Sequence, residues 1–545
     1  MWPVIKTSLP ATVRRLVAGA LTGLLTAAVA LGVAELAASL ISASSAPVIA
    51  VGETAINLTP IPVKEFAITH FGSHDKEALL TGIVVLLIGF AAVIGIAALR
   101  RVAYGLAGLV VFAVVGMAAA IHLPNATAVD VLPTLAGVAA GAVAMVVLTR
   151  TQDVPAVSSQ DVPAVSSQDV LAAGPYLGDL GTRESRLAAG RPDRRRFLIA
   201  GAGAAAVAAI AGGAGDKLLG RFSIASSRAQ VRLPAPAIRA AAGPAGTELR
   251  IPGLTPFFTS NASFYRVDTD LVLPQVSPDN WTLKIDGMVD RELEFSFDEL
   301  LKMPLTEADI TLVCVSNQVG GTYNGNARWL GVPLAGLLRK AGVQADANQV
   351  LSTSTDGMTI STPVATIMDG RNALLAVGMN GQPLPVEHGF PARMIVPGLY
   401  GYVSATKWVT KLTLTTFAAQ QAYWTQRGYS AQAPIKTESR IDVPKPLAQI
   451  AAGRTAVAGV AWAPATGIAA VEVNVDNGPW HRATLAAADG LDTWRQWMWA
   501  WDAKPGLHTL AVRATDSRGV TQTAARANSV PNGASGWDST VVTVS

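Results

Sequence analysis

One residue of this chain carries a thiol: Cys314, the only cysteine in 545 residues. A thiolate is a soft donor suited to a metal, yet one cysteine without a neighbouring histidine or second cysteine cannot complete a zinc or iron–sulfur site. Its remaining ligands would have to come from a cofactor. The competing reading is a small buried hydrophobe, the usual state of a lone cysteine in an apolar strand. Cys314 lies where the apolar run Ile310 to Val315 opens into Ser316, Asn317 and a loop carrying Gly320, Gly321, Gly325, Asn326 and Arg328. Glycines at such a place let a bulky group approach the backbone. The six histidines, His70, His74, His122, His388, His481 and His508, avoid the middle of every apolar run. Axial ligation of a buried haem would need one there, so no haem is expected.

The elements that must position Cys314 are of mixed type. Trp281 to Ile285 alternates as a half-buried strand, Phe297 to Met303 reads as a short helix ending at Pro304, and Ile310 to Val315 reads as a buried strand. Leu334, Leu337 and Leu338 space an amphipathic helix that Gly342 stops. This predicts an α+β domain over 251–427. Beyond it, over 428–545, short β-type runs dominate: Ala456 to Trp462, Ile468 to Val475, Trp494 to Trp501, Leu507 to Ala514 and Thr540 to Val544, with a hairpin turn at Asp476-Asn477-Gly478. An all-β immunoglobulin-like sandwich is expected there. The tryptophans at 494, 497, 499 and 501 read as core on one face and packing against the neighbouring domain on the other, rather than as a ligand platform.

Half of the chain is apolar, and its mean hydropathy is positive, which implies a membrane part. Runs at 16–41, 78–99, 102–121 and 131–149 each approach the ~20 residues a spanning helix needs, so 1–150 is read as a four-helix transmembrane region. Lys6, Arg14, Arg15, Arg100, Arg101 and Arg150 flank the ends that share one side, which makes the N-terminus cytoplasmic. These arginines also account for the net charge of +4; without a basic stripe interleaved with stacking aromatics, nucleic-acid binding is not expected. Over 151–196 the unit Gln-Asp-Val-Pro-Ala-Val-Ser-Ser occurs twice and begins a third time, which reads as a cytoplasmic low-complexity linker. Arg194-Arg195-Arg196-Phe197-Leu198 and the Ala/Gly-rich run to 214 then form either a fifth transmembrane helix or an internal twin-arginine export signal. Either reading puts the chain from residue 215 onward outside the membrane, first as an Ala/Pro/Arg-rich tether over 215–250. A thiol kept in an oxidising compartment must be buried or coordinated to survive.

Three segments now carry a resemblance. Ile310 to Gly321 with Gly325 to Leu334, Phe257 to Arg266, and Met379 to Tyr402 ending in Lys407-Trp408 resemble, in order, the motifs of the sulfite oxidase-type molybdenum-cofactor family. The resemblance implies a sulfite oxidase-type molybdopterin-binding fold and a molybdenum-molybdopterin cofactor, with Cys314 as both the protein ligand to the metal and the catalytic cysteine. It also implies cofactor contacts from Asn261, Phe264, Tyr265, Arg266, Ser354, His388 and Arg393, and from the loop Ser404, Ala405, Thr406 and Lys407. Without it, Arg393 would read as a surface ion pair and His388 as a capping or packing residue. Arg328 and Trp329 either line the mouth or hold structure.

The chain departs from the family's sulfite oxidases where substrate is handled. Gln318 and Val319 stand where those enzymes place arginines after the ligand cysteine, and Met358 stands near the place of their active-site tyrosine. Ser316 stands where the protein-methionine-sulfoxide reductases of the family have glutamate. The implied function is two-electron oxygen-atom transfer on a small oxo compound other than sulfite, with a redox partner the sequence does not name, membrane lipid around the helices, and a homodimer formed through the C-terminal domain. The competing class is a non-catalytic surface receptor with a vestigial cofactor pocket.

Overall fold

The computed structural model describes residues 10–71, 74–123, 126–152, 194–219 and 224–545, and the chain divides into two units, Met1–Phe222 and Ser223–Ser545. Lys6 and most of the linker with its repeat, residues 153–193, lie outside the described residues, as do residues 220–223 of the expected tether.

The first unit is helical: α1 (Ala11–Ala38), α2 (Pro47–Leu58), α3 (Ile61–Phe71), α4 (Asp75–Ala98), α5 (Val102–His122), α6 (Leu132–Arg150) and α7 (Arg194–Leu219). Among the described residues five helices are long and apolar enough to cross a membrane. They fall on the four expected runs and on Arg195–Leu218. Small residues let these helices meet closely, as membrane helices require when lipid is as apolar as leucine. A Cβ at Gly23 would come within 2.7 Å of the Ala91 carbonyl carbon, and one at Gly32 within 2.7 Å of the Ala208 oxygen. Their other faces carry exposed Leu86, Val85, Val110 and Val143. Helices α2 and α3 escaped the sequence reading because each is half the length of a spanning segment and Thr59-Pro60 interrupts them.

The second unit begins with α8 (Ala225–Gln230), and here the tether expectation is corrected. Residues 225–250 lie along the domain: Arg228 donates to the Leu384 and Pro383 carbonyls, both at 2.6 Å, Ile238 bridges to Thr306, and Leu249 N–H reaches Gln496 Oε1 at 2.6 Å. These contacts are made by backbone and by one long side chain, so no apolar periodicity announces them.

The domain that holds Cys314 contains β1 (Thr282–Gly287), β2 (Leu293–Ser296), α9 (Phe297–Leu301), β3 (Thr306–Val313), β4 (Asn324–Pro333), α10 (Leu334–Ala341), β5 (Gln349–Ser354), β6 (Thr359–Pro363), α11 (Val364–Met368), β7 (Leu374–Met379), β8 (Gln382–Pro383), β9 (Arg393–Ile395) and β10 (Val409–Thr415). One sheet runs β2-β1-β10-β5-β6; the other runs β3-β4-β7-β8 with β9 paired to β7. Helix α9 starts on a capping box in which Ser296 Oγ accepts from Glu299 N–H and Glu299 Oε2 accepts from Ser296 N–H. Helix α10 buries Leu334, Leu337 and Leu338 and is capped by left-handed Gly342. Strand β3 begins earlier than expected and ends at Val313, so Cys314 is the first residue of the turn beyond it.

The C-terminal domain comprises β11 (Glu438–Val443), β12 (Gln449–Ile450), β13 (Gly453–Trp462), β14 (Ile468–Val475), β15 (His481–Arg482), β16 (Thr484–Leu485), β17 (Arg495–Ala503), β18 (Gly506–Asp516) and β19 (Asp538–Val544). Two sheets, β11-β13-β17-β16 and β12-β19-β18-β14-β15, share one core of Val457, Trp497, Trp501, Val471, Val473, Leu510, Val512 and Val542. Within the loop from β14 to β15, Asp476 and Asn477 both take positive φ, 54° and 57°, and Gly478 N–H closes the tight turn on the Val475 carbonyl at 2.8 Å. Trp497 and Trp501 are core, and half-buried Trp499, on the same face of β17, packs against that core and stacks on His481 at 5.0 Å. Trp494 meets the neighbouring domain, donating from Nε1 to the Phe257 carbonyl at 2.9 Å.

Candidate active site

Cys314 is half-buried at the mouth of the turn. Its N–H donates to the Tyr323 carbonyl at 2.9 Å and its carbonyl accepts from Asn317 N–H at 3.0 Å, which closes the loop on itself. Asn317 Oδ1 accepts from Tyr323 N–H at 2.8 Å. Burial pushes the thiol above its ordinary range, opposed by hydrogen bonds from Ser316 and by the charge of Lys407. A bound metal cation would reverse that balance, since coordination deprotonates a thiol outright.

The segment Phe257–Arg266 lies beside it. Phe264 is buried edge-on to Trp329 and His388, with ring centres 5.7 and 5.5 Å away. This packing requires glycine at 325, where a Cβ would sit 2.7 Å from the Phe264 ring. Asn261 is fixed from two sides: its Oδ1 accepts from Asn380 Nδ2 at 2.9 Å and its carbonyl pairs with His388 Nε2 at 3.1 Å. The Tyr265 hydroxyl is pushed well above the usual phenol range by burial and by the neighbouring Cys314, so it stays protonated.

His388, on a short turn after β8, is 3 % exposed, and burial with the nearby Arg393 charge pulls it down to about 4; it is neutral near pH 7. Arg393, in β9, is 6 % exposed. Its Nη1 donates to the His388 carbonyl at 3.1 Å and its Nη2 to the Ala405 carbonyl at 3.3 Å. Its Nε has no partner, and no carboxylate among the described residues pairs with it. Burial pulls the guanidinium down to about 10, still cationic at neutral pH. Ser354, at the end of β5, likewise holds a buried hydroxyl without a partner.

Lys407 Nζ donates to Asp268 Oδ2 at 2.8 Å and to the Glu387 carbonyl at 3.2 Å, and burial pulls it down to about 8 against the raising effect of Asp268. Arg266 turns to the same carboxylate at 2.7 Å and is the most exposed of the group. Thus one acid, Asp268, serves two cations. Asp268 was missed in the sequence, where only its spacing two residues from Arg266 could have flagged it. Ser404 Oγ is satisfied by the Leu399 and Tyr400 carbonyls, both at 3.0 Å, and Thr406 Oγ1 by Ser352 Oγ at 2.5 Å. Ser404 and Thr406 therefore shape the loop, and its backbone is what they present. Arg328 is held by Asp309 in a two-point ion pair at 2.8 and 2.7 Å, and Trp329 is fully buried with Nε1 on the Ile310 carbonyl at 3.1 Å. Trp329 is core, and Arg328 is committed to its carboxylate.

These residues fit an anionic pterin cofactor. A buried guanidinium without a counter-charge, an unpartnered buried hydroxyl and a lysine crowded by two arginines are costly unless an anion with acceptor oxygens completes them, and one thiol stands beside them for a metal. Residues 270–424 match the family model described as "Oxidoreductase molybdopterin binding domain". The domain that holds Cys314 is of the sulfite oxidase-type molybdopterin oxidoreductase family. The cofactor of this family, molybdenum-molybdopterin, is the one the residues fit. The matched range holds Cys314 and the sites from Ser354 to Lys407, whereas Asn261 to Arg266 precede it.

Relatives of this domain include mitochondrial sulfite oxidase of Macaca fascicularis, 28% identical over an alignment of 288 residues, covering 45% of this chain and 52% of that protein. NADH nitrate reductase of Solanum lycopersicum is 30% identical over 178 residues, 28% of this chain and 19% of that protein. The chain spans about half the length of the sulfite oxidases it matches. Among solved structures, the sulfane dehydrogenase SoxCD from Paracoccus pantotrophus aligns with a TM-score of 0.47 and 23% identity, covering 54% of this chain and 84% of that one.

Proposed function

We propose that this chain is a membrane-anchored, extracytoplasmic oxidoreductase that transfers an oxygen atom, with two electrons, to or from a small neutral oxo compound. The observation that carries this reading is the Arg393 guanidinium, buried and without a carboxylate, beside Tyr265, which in turn neighbours Cys314. When bound, the molybdenum cofactor supplies a two-electron redox centre with an exchangeable oxygen position.

The protein's own residues hold that centre and its surroundings. Cys314 Sγ would bind the metal. Arg393 Nε and Ser354 Oγ would donate to the cofactor's polar atoms, Lys407 and Arg266 would compensate its phosphate, and Asn261 and His388 would fix the wall between them. Tyr265 Oη keeps its proton and so acts as a hydrogen-bond donor near the metal. Substrate choice is set by the residues just after the cysteine. Asn317 Nδ2, buried and unpartnered, and Gln318 offer dipoles without charge, which suits an S-oxide or N-oxide better than the sulfite dianion. The half-reaction is balanced when the oxo compound takes two electrons and two protons and gives its reduced form and water.

The location outside the membrane rests on the basic flanks Arg14, Arg15, Arg100, Arg101 and Arg150. Helix α7 is read as a retained fifth span that also carries a twin-arginine signal, since it packs along α1 at Gly32. The C-terminal domain is read as an immunoglobulin-like sandwich that pairs two copies of the chain. The test is a screen of the purified protein against S-oxides, N-oxides and sulfite with an artificial electron donor or acceptor. Turnover of an S- or N-oxide faster than sulfite is expected; turnover of sulfite alone would overturn the substrate reading.

A further inference from the structure

The C-terminal domain reaches back to the cysteine loop through one side chain. Arg440, in β11, is 4 % exposed. Its Nη1 donates to the Gly321 carbonyl at 2.8 Å and to Asn324 Oδ1 at 2.9 Å, which are the loop and the strand start that come after Cys314. Its Nη2 donates to Thr255 Oγ1 at 3.0 Å. Its Nε donates to Asp442 Oδ1 at 2.8 Å, and Asp442 Oδ2 in turn accepts from Thr255 N–H at 3.2 Å. One buried ion pair thus ties together the loop Cys314–Asn324 and the segment leading into Phe257–Arg266. A second contact seats the same loop: left-handed Gly320 lies against the Asp538 carboxylate, whose Oδ2 accepts from Ile441 N–H at 2.8 Å.

Such a pair is poorly explained as a stabilising device. Taking two charges out of water costs as much as their attraction returns, and apolar replacements of buried pairs are often neutral. What the guanidinium does here that an apolar residue could not is fix two backbone segments at defined distances through a rigid fork of donors. We propose that Arg440 is a positioning residue, supplied by the C-terminal domain, that sets the geometry of the Cys314 loop and so of the metal it ligates. The consequence for the metal rests on the reading of Cys314 as its ligand; the hold on the loop does not.

The test uses the full chain in detergent, with Arg440→Met to remove the donors while keeping length. Hydrogen exchange of the amides of 314–324 is compared with that of β13 and β18, and the Mo(V) electron paramagnetic resonance signal is recorded on the same sample. Loss of the charge-assisted bonds is expected to speed loop exchange by about tenfold or more, leave β13 and β18 unchanged and alter the Mo(V) signal while molybdenum is retained. Loop exchange and a Mo(V) signal equal to wild type would overturn the proposal. Should Arg440→Met not accumulate, Asn324→Ala removes one loop acceptor and is expected to give the same pattern in smaller measure; its failure to do so counts equally against the proposal. Absence of molybdenum from the wild-type protein would instead sink the functional reading and leave the exchange result to judge the loop.

Discussion

Arg393 and His388 are joined through backbone: the guanidinium donates from Nη1 to the His388 carbonyl at 3.1 Å while its Nε has no partner. A cation held this way is aimed, and its counter-charge must come from outside the chain. Arg393→Met is therefore expected to lower retained molybdopterin by about tenfold or more, measured as pterin fluorescence per chain. The cofactor-free variant should melt no lower than cofactor-free wild type, because a buried uncompensated charge is a cost. A lower melting temperature with normal pterin content would make Arg393 purely structural.

Lys407 is held down to about 8 by burial, against the raising effect of Asp268. Between about 8 and its ordinary value the folded, cofactor-free protein binds fewer protons than the unfolded chain, so stability rises with pH across that window. Affinity for a phosphate runs the other way. Reconstitution of cofactor-free protein with molybdopterin should weaken as pH climbs through 8, and Lys407→Met should be weak and flat over the same range.

Glu438, 4 % exposed, is pushed up to about 8 by burial, opposed by Lys436. From the ordinary carboxylate range up to 8 the folded state binds more protons than the unfolded one, and stability falls as pH rises. Glu438→Gln removes the ionisation. Its melting temperature should exceed wild type at pH 8 and match it near pH 4.5; equal melting at both would refute the assignment.

Gln318→Arg restores a cation after the ligand cysteine. KM for sulfite is expected to fall by about tenfold, the worth of one charge-assisted hydrogen bond, with little change for an S-oxide. An unchanged preference would mean that Gln318 does not face the substrate.

Replacing Arg194, Arg195 and Arg196 with lysine is expected to strand the catalytic domain on the cytoplasmic side, as read by protease accessibility in spheroplasts. Normal export of that variant would leave α7 as a plain membrane helix.

The spanning helices, the leucine-spaced α10 and the hairpin at Asp476 were legible because local periodicity and turn chemistry write them directly. The expectation that Asn261, Phe264, His388, Arg393 and Lys407 serve one site with Cys314 came from ordered motifs; in the fold Asn261, Phe264 and Arg393 each meet His388. Other features had no local signal. Strand β11, Glu438–Val443, was not among the runs named, since it alternates charged residues, of which Arg440 and Asp442 are buried on partners from distant segments. Arg440 finds its acceptors at 321, 324 and 255, which no spacing rule connects. The segment 225–250 read as a tether because its contacts are made by carbonyls and amides, which every residue has.

The most direct measurement is the molybdenum content of the purified full chain beside Cys314→Ser, grown with ample molybdate. Wild type is expected to carry on the order of one molybdenum per chain with oxidoreductase activity, and Cys314→Ser to remain folded and inactive. Wild type without molybdenum, or Cys314→Ser with full activity, would contradict the assignment of Cys314 as the metal ligand.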